Sequence, residues 1–120
     1  MPRNSTKLPV PGEIYLLNQP RLRQSKHPHF CLVLRVEETH ALVNFLSSAS
    51  ELFRDGQDFW LHEDDVYGEF KHTGLDKSSY LIEGAAVQVP IANLFANGPA
   101  MGQIQGRLKA QLEDWWGEKI

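Results

Sequence analysis

Residues 30–48 read FCLVLRV, EETH and ALVNFLSS in succession, and they carry the strongest structural signal in the chain. Two runs rich in Val, Leu and Phe flank a short polar connector, a pattern typical of a β-hairpin. In the first run, Phe30, Leu32, Leu34 and Val36 are predicted to share one face of the strand. The second run is apolar at nearly every position, which is typical of a strand covered on both faces. We therefore expect this hairpin to form the middle of a small β-barrel or sandwich.

Other short strands are predicted on both sides of the hairpin. Apolar residues after a Pro-Gly turn indicate a first strand at 13–17, and the FWL triplet indicates another at 59–61. Residues 79–82 and 86–89 are predicted to form two short strands or one bent strand, with Gly84 as a bulge or turn. The pattern favours an antiparallel sheet of about five to seven short strands.

The last predicted element is a helix over about residues 107–116. Ile104, Leu108, Leu112 and Trp115 recur at spacings of four, four and three, which places them on one apolar stripe. Such a stripe needs a sheet to cover it. The expected fold class is therefore mainly β, a small barrel of mostly antiparallel strands with a C-terminal helix.

Length and composition indicate one ordinary globular domain. At 120 residues the chain is long enough to bury a core, with 1–10 expected as a flexible tail and 11–120 as the domain. The single cysteine, Cys31, excludes an internal disulfide and indicates a buried thiol in a reducing compartment. No stretch approaches the roughly 18 consecutive apolar residues of a membrane span. The N-terminus also lacks the apolar centre of a signal peptide. We expect a cytoplasmic protein with no membrane partner.

Charge is distributed unevenly along the chain. The net charge of −3 argues against a protein that coats nucleic acid non-specifically. The segment 18–29, predicted to be a loop, nevertheless holds five basic or histidine side chains within nine residues. These are Arg21, Arg23, Lys26, His27 and His29. Local binding of an anion by this loop is compatible with the acidic total. An acidic group follows later and comprises Asp55, Asp58, Glu63, Asp64, Asp65 and Glu69.

Four segments, taken in order, resemble the MazF/PemK family of toxin–antitoxin ribonucleases. The segment 11–15 (PGEIY) is similar to the family's opening strand, and 26–34 (KHPHFCLVL) to its Arg-Pro and aliphatic strand. The segment 74–80 (GLDKSSY) resembles its Leu-x-Lys-x-Ser strand entry. The segment 104–108 (IQGRL) resembles the Ile-Gly-Arg-Leu before its last helix, with one extra residue. The resemblance covers about residues 11–117.

This resemblance implies an SH3-like barrel and a toxin that cleaves single-stranded RNA as a sequence-selective, metal-independent endoribonuclease. It also implies a homodimer, a cognate antitoxin bound in its groove, and no cofactor. Where the family has an arginine before the proline, this chain has His27, or His29 if the alignment slides by two residues. Where the family has a threonine after the third strand, the candidates are Ser47 and Ser48. The family's Gln-x-Arg patch is replaced by 85–87 (AAV).

The residue types at the two open ends of the hairpin suit RNA cleavage. Metal-independent cleavage needs a base, an acid and cations for the phosphate. Histidine suits the proton transfers because its ordinary pKa is about 6.5. Because a hairpin brings its two ends together, we hypothesise that the loop 21–29 and the serines form one pocket. The alternative is a solvated basic loop. The candidate catalytic residues are His27, His29, Ser47 and Ser48, and the candidate RNA- or phosphate-binding residues are Arg21, Arg23 and Lys26.

No metal site is predicted. The histidines at 27 and 29, and the segment 62–65 (HEDD), lack the spacing of zinc-finger or zincin motifs. An acidic surface turn explains the segment 62–65 more simply. Cys31 lies within a predicted strand with no visible base, so it is not expected to act as a nucleophile.

The C-terminus supplies a second functional hypothesis. The segment 114–120 (DWWGEKI) resembles the Trp-Gly-Ile end by which CcdB-type proteins contact gyrase, with two residues inserted. Trp115 lies on the core stripe and is expected to be buried, whereas Trp116 at its edge is a candidate partner-binding residue. The alternative function is a non-catalytic SH3-like barrel that binds a protein or nucleic acid, for example a CcdB-like gyrase poison. Catalysis requires the basic loop and the serines to converge, whereas a binding module does not.

Overall fold

The described residues form a sheet of six antiparallel strands, which curls into a half-barrel. The computed structural model of the chain describes residues 8–17 and 29–120. The strand order is β4-β5-β3-β2-β1-β6, so the predicted hairpin β2–β3 lies in the middle of the sheet. The expected mainly β barrel with a C-terminal helix is confirmed. The strands are β1 (Glu13–Leu17), β2 (His29–Val36), β3 (His40–Ser47), β4 (Phe59–Leu61), β5 (Ser79–Pro90) and β6 (Gly102–Gln103).

The helical elements are short except for the last. A four-residue helix α1 (Ile91–Leu94) follows β5 directly, and the C-terminal helix α2 (Gly106–Trp116) ends the fold. The described part of the chain also contains 3-10 turns at Ser50–Leu52, Phe70–Thr73 and Phe95–Asn97. Within the described ranges, no helix is long and apolar enough to cross a membrane. Residues 1–7 of the predicted tail lie outside the described residues, and Pro9 is already buried.

The simple alternation predicted for β2 is wrong at its end. The register with β3 shifts between Val33 and Arg35, so Leu34 is the extra residue of a β-bulge. Leu34 packs in one core cluster, whereas Val36 packs against the other, although the alternation predicted them on one face. A bulge inserts one residue into the period of two, and every later side chain therefore changes face.

The two faces of the sheet carry separate cores. The first cluster packs Leu32, Leu81 and Ile104 against the α2 residues Leu108 and Leu112, all of them buried. This confirms the predicted apolar stripe, except that Trp115 is half-buried. The second cluster lies on the opposite face of the sheet. It comprises Tyr15, Leu17, Cys31, Val33, Ala41, Val43, Phe45, Val89 and Leu94.

Strand β5 is bent, as predicted. Its pairing with β3 runs from His40 to Asn44 and resumes only at Leu46, which pairs with Leu81. The extra residues between the two ladders include Gly84 at φ +83°, a conformation that glycine adopts at little cost. The first residues of β5, which precede the bend in the sequence, pair with the end of β3. This places the loop before β5 next to Ser47.

A distant carboxylate caps helix α2. Glu69 accepts hydrogen bonds from the backbone N–H groups of Arg107 (3.3 Å) and Leu108 (2.8 Å), which have no partner within the helix. The negative charge also suits the positive end of the helix dipole. At the other end, Gly117 adopts φ +90° and its N–H binds the carbonyl of Glu113, which ends the helix.

Candidate functional site

A cavity of about 300 Å³ lies at the open end of the central hairpin. One wall comes from the start of β2 and the end of β3, and the other comes from the loop that leads into β5. The lining therefore unites two segments that are about thirty residues apart in the sequence. It consists of His29, Phe30, Leu46, Ser47, Ser48, Ala49, Leu75, Asp76, Lys77 and Ser79.

His29 is the first residue of β2 and is half-buried in this cavity. The strand holds its backbone by pairing it with Leu17 of β1. The imidazole and the Phe45 ring meet edge to face, with ring centroids 6.4 Å apart and planes at 89°. An edge-to-face contact of this kind restricts the rotation of the ring. The structure thus provides one oriented histidine in the cavity.

The two serines that follow β3 contribute hydroxyl groups to the same cavity. Ser47 Oγ accepts a hydrogen bond from the backbone N–H of Ala49 at 3.1 Å. One oxygen lone pair is thereby used, while the hydroxyl hydrogen stays available as a donor. Ser48 is exposed. No described base is hydrogen-bonded to either hydroxyl, so both suit donation to an anion better than nucleophilic attack.

The opposite wall adds one cation and one carboxylate, Lys77 and Asp76, both exposed. Their loop is fixed by local hydrogen bonds. Ser79 Oγ donates to the carbonyl of Lys77 at 3.1 Å. Ser78 and Glu63 form a reciprocal pair, in which Ser78 Oγ accepts the Glu63 N–H (2.8 Å) and Glu63 Oε2 accepts the Ser78 N–H (3.0 Å). Lys77 is therefore held on an ordered segment.

The loop that leads into β5 is in close backbone contact with the segment before α2. A Cβ atom on Gly74 would lie 2.3 Å from the carbonyl oxygen of Met101, and one on Gly102 would lie 2.3 Å from that of His72. Thr73, which is fully buried, donates its hydroxyl to the carbonyl of Phe70 at 2.7 Å. Only glycine permits two backbone segments to approach so closely. The cavity wall thus depends on contacts with the segment before α2.

The structure brings together only some of the predicted site residues. His29, Ser47 and Ser48 line one cavity, as the hairpin argument anticipated, although their chemical roles stay predictions. Trp116 is half-buried and packs against the first core cluster. Lys77 was not predicted as a site residue, although it is the lysine of the Leu-x-Lys-x-Ser segment that resembles the family motif. Arg21, Arg23, Lys26 and His27 lie outside the described residues.

The buried side chains of Cys31 and Tyr15 do not line this cavity. Burial raises the pKa of the Cys31 thiol to about 12, although a backbone hydrogen bond from Tyr15 opposes the effect. The prediction of a buried thiol is confirmed, with Cys31 at 0% exposure. Burial also raises the pKa of Tyr15, and its hydrogen bond to Glu13 adds to the shift. In residues 8–17 and 29–120, no three His, Cys, Asp or Glu side chains form a group that could hold a metal ion.

No family model matches the sequence, and no curated protein matches it at a significant level. The geometry of the cavity is therefore the main basis for assigning a function.

Proposed function

We propose that the protein is a metal-independent endoribonuclease that cleaves single-stranded RNA in the cytoplasm, as the toxin of a toxin–antitoxin pair. The observation that carries the proposal is the single cavity lined by His29, Ser47, Ser48 and Lys77. It combines a proton-transfer group, two hydroxyl donors and a cation, which are the group types that phosphodiester cleavage needs. The resemblance of four segments to the MazF/PemK family supports the same function.

In this reaction the 2′-hydroxyl of the RNA attacks the neighbouring phosphorus. Its proton goes to a base, and the departing 5′-oxygen receives a proton from an acid, which leaves a cyclic phosphate on the first fragment. A neutral imidazole has one donor and one acceptor nitrogen, so His29 suits either proton transfer. Asp76 is a second titratable group in the cavity, so the acid and base roles can be divided between the two.

The phosphate would bind between the two walls of the cavity. Lys77 supplies a positive charge from one wall, and the Ser47 hydroxyl supplies a hydrogen-bond donor from the other. The described lining carries one cation and one anion, because Asp76 lies beside Lys77. Phosphate affinity should therefore depend strongly on Lys77 and on the hydroxyl donors. The predicted contributions of Arg21, Arg23 and Lys26 would add to this charge.

The proposal is tested by incubating the protein with a long single-stranded RNA in EDTA. The His29→Ala variant should lose about 10²–10⁴-fold in cleavage rate, as expected when a proton-transfer group is removed. The matched control is His40→Ala, since His40 is an exposed histidine at the opposite end of the same hairpin. It should cleave at the rate of the parent. Equal rates for His29→Ala and the parent, with both proteins folded, would exclude His29 as the proton-transfer group.

A second pair of variants tests the phosphate site. Lys77→Ala should weaken RNA binding, whereas Lys71→Ala should not, because Lys71 is exposed on the Phe70–Thr73 turn and does not line the cavity. RNA with a 2′-deoxy group at the cleaved position should resist cleavage, since it lacks the nucleophile. RNA that binds but stays intact would favour the alternative, a non-catalytic barrel that binds nucleic acid.

The proposal also includes the homodimer and the cognate antitoxin implied by the resemblance. Sedimentation velocity tests the dimer directly, and a species with the mass of one chain would contradict it. Trp116 is the candidate partner-binding residue. A Trp116→Ala variant that stays folded but fails to dimerise or to bind a partner would assign it that role.

A further inference from the structure

A second cavity, of about 440 Å³, lies beside the edge strand β4. We call it the Trp60 pocket, and its lining residues are Phe53, Asp55, Trp60 and His62. None of these side chains lines the cavity proposed for RNA. Two of them are large aromatic groups and one is a carboxylate. This combination is unlike that of the RNA cavity, where the aromatic content is low and a lysine is present.

The aromatic walls of the Trp60 pocket are held rigidly. The rings of Phe53 and Trp60 meet at 63° with centroids 4.9 Å apart. Both rest on Tyr80, which is 2% exposed, at centroid distances of 5.4 and 5.6 Å. The Trp60 indole N–H also donates to Nδ1 of His62. Because this nitrogen accepts, the neutral His62 carries its proton on Nε2.

The surroundings of the pocket are strongly negative. Residues 55–69 contain six carboxylates and no lysine or arginine. In the described part of the chain, Asp58 alone among the six forms an ion pair, with Arg54 at 3.0 Å. The Asp55 and Asp64 side chains are exposed and accept no hydrogen bond from any described group. Arg54 lies between the lining residues Phe53 and Asp55, but its guanidinium pairs with Asp58, so Asp55 has no ion-pair partner among the described residues.

Negative charge extends to both sides of Trp60. A neighbouring cavity of about 420 Å³ is also bordered by Trp60 and His62, and it adds Asp64 and Tyr67. Among the described strands, the one that carries Trp60 lies at the edge of the sheet, and its pairing partner there is β5. An extended chain that runs along such an edge can add to the sheet by backbone hydrogen bonds. A chain bound along this edge would meet carboxylates that precede and follow Trp60 in the sequence.

We propose that the Trp60 pocket binds an arginine side chain from an extended basic segment of a partner protein. The guanidinium would lie against the Trp60 face and pair with Asp55. Cation–π attraction is strongest on tryptophan, and a planar guanidinium both stacks on aromatic faces and pairs with carboxylates. A nucleobase would stack there equally well, but the exposed carboxylates Asp55, Glu63 and Asp64 repel the phosphates that a nucleic acid carries. The charge therefore favours a basic peptide over RNA at this surface.

This proposal is independent of the ribonuclease proposal, because it uses different residues. The probe is a fluorescent nine-residue peptide with arginine at alternate positions, and its binding is followed by fluorescence polarisation. The reference is the same peptide with citrulline, which keeps the shape of arginine without its charge. The citrulline peptide should bind at least tenfold more weakly. Equal binding of the two peptides would overturn the proposal.

Two substitutions locate the binding site. Asp55→Asn should weaken binding of the arginine peptide about tenfold, and Glu38→Gln should leave it unchanged, since Glu38 is an exposed carboxylate in the turn between β2 and β3. Asp55 is exposed, so its substitution tests the pocket without disturbing the packing of Trp60 on Tyr80. Equal weakening by both substitutions would show a general charge effect and overturn the site.

A direct binding experiment separates the peptide from nucleic acid. Labelled single-stranded RNA, with no peptide present, should bind the parent and Trp60→Leu with the same affinity, because the RNA cavity contains none of the residues of the Trp60 pocket. A loss of RNA affinity in Trp60→Leu, with the protein folded, would identify the surface as a base-stacking site and overturn the proposal. The His29→Ala variant should bind the peptide as the parent does, whatever its effect on RNA cleavage.

Discussion

Replacing Asp58 with asparagine should destabilise the fold by about 2–3 kcal/mol. The Asp58 side chain is only 1% exposed, and both of its oxygens are used. Oδ1 accepts from the Arg54 guanidinium at 3.0 Å and from the Glu83 N–H at 2.9 Å, whereas Oδ2 accepts from the Arg54 N–H at 2.9 Å. This carboxylate thereby joins the loop before β4 to the bend in β5.

The magnitude follows from the atoms that lose their partners. Asparagine keeps one acceptor oxygen and turns an NH₂ group toward the other donors, so at least one backbone N–H is left without a bond. A buried polar group without a partner costs about 1–3 kcal/mol. The Arg54 side chain is about half exposed (47%) and regains water, so its ion pair adds little. For a domain of this size, about 2–3 kcal/mol corresponds to roughly 10 °C in Tm.

The loss should also depend on pH. Burial by itself raises the pKa of Asp58, but the hydrogen bonds from Arg54 and from the backbone N–H of Glu83 outweigh it and hold the pKa below its ordinary value. A carboxyl with a lowered folded pKa stabilises the fold above its unfolded pKa of about 3.9, and this stability is lost as the pH falls through the folded value. The difference between parent and variant should therefore be constant from about pH 7 to pH 5 and shrink below about pH 4.

Urea unfolding at pH 7, 5 and 3 measures this difference. The matched control is Asp64→Asn, because Asp64 is an exposed carboxylate of the same acidic segment and accepts no hydrogen bond from the described residues. Its substitution should change the free energy of unfolding by no more than about 0.5 kcal/mol. An Asp58→Asn variant as stable as the control at pH 7 would refute the structural argument. A difference that persists at pH 3 would refute the assignment of the effect to the ionised carboxylate.

Three further outcomes are expected from single positions. Thermal unfolding should show that Gly74→Ala lowers the stability of the fold by several kcal/mol and Gly84→Ala by about 1 kcal/mol. Both glycines adopt positive φ, but only a Cβ atom on Gly74 would meet a backbone atom, the carbonyl oxygen of Met101 at 2.3 Å. Equal costs would contradict the close backbone contact. Glu69→Ala should cost about 1–2 kcal/mol and reduce helical circular dichroism, and an unchanged protein would show that the cap contributes nothing. Cys31 should resist thiol reagents at pH 7 in the folded protein and react in urea, whereas rapid native labelling would contradict its burial and its raised pKa.

Local patterns were sufficient to predict most of the secondary structure. The first strand was expected at 13–17 and lies at Glu13–Leu17, and the FWL triplet forms β4. Alternation and turn residues act within a few positions, so the sequence reports them directly. The apolar stripe of α2 and the bend at Gly84 were predicted in the same way. All of these elements are determined by the steric preferences of neighbouring residues and by the spacing of apolar side chains.

Features that depend on contacts between distant residues were not predicted. The cap of α2 comes from Glu69, whose partner Leu108 is 39 positions away. The bulge at Leu34 depends on the partner strand, because nothing in the β2 sequence requires an extra residue there. Asp58 was identified only as a member of an acidic surface group, although its side chain is buried. The composition gives the number of carboxylates, but it does not show which carboxylate forms an ion pair with a guanidinium group.

The candidate site likewise combines a part that the local sequence predicted with a part that depends on contacts between distant residues. Its first wall was predicted because a hairpin brings its own ends together, which placed His29 near Ser47. The position of Lys77 in the second wall depends on the bend in β5 and on the close backbone contact between Gly74 and Met101. Both features join parts of the chain that are distant in the sequence. Gly102→Ala, which would push its Cβ to 2.3 Å from the His72 carbonyl, should therefore displace this wall without touching any residue that lines the cavity. A loss of RNA binding in that variant, with the β2–β3 hairpin intact, would show that binding requires both walls rather than the histidine and serines alone.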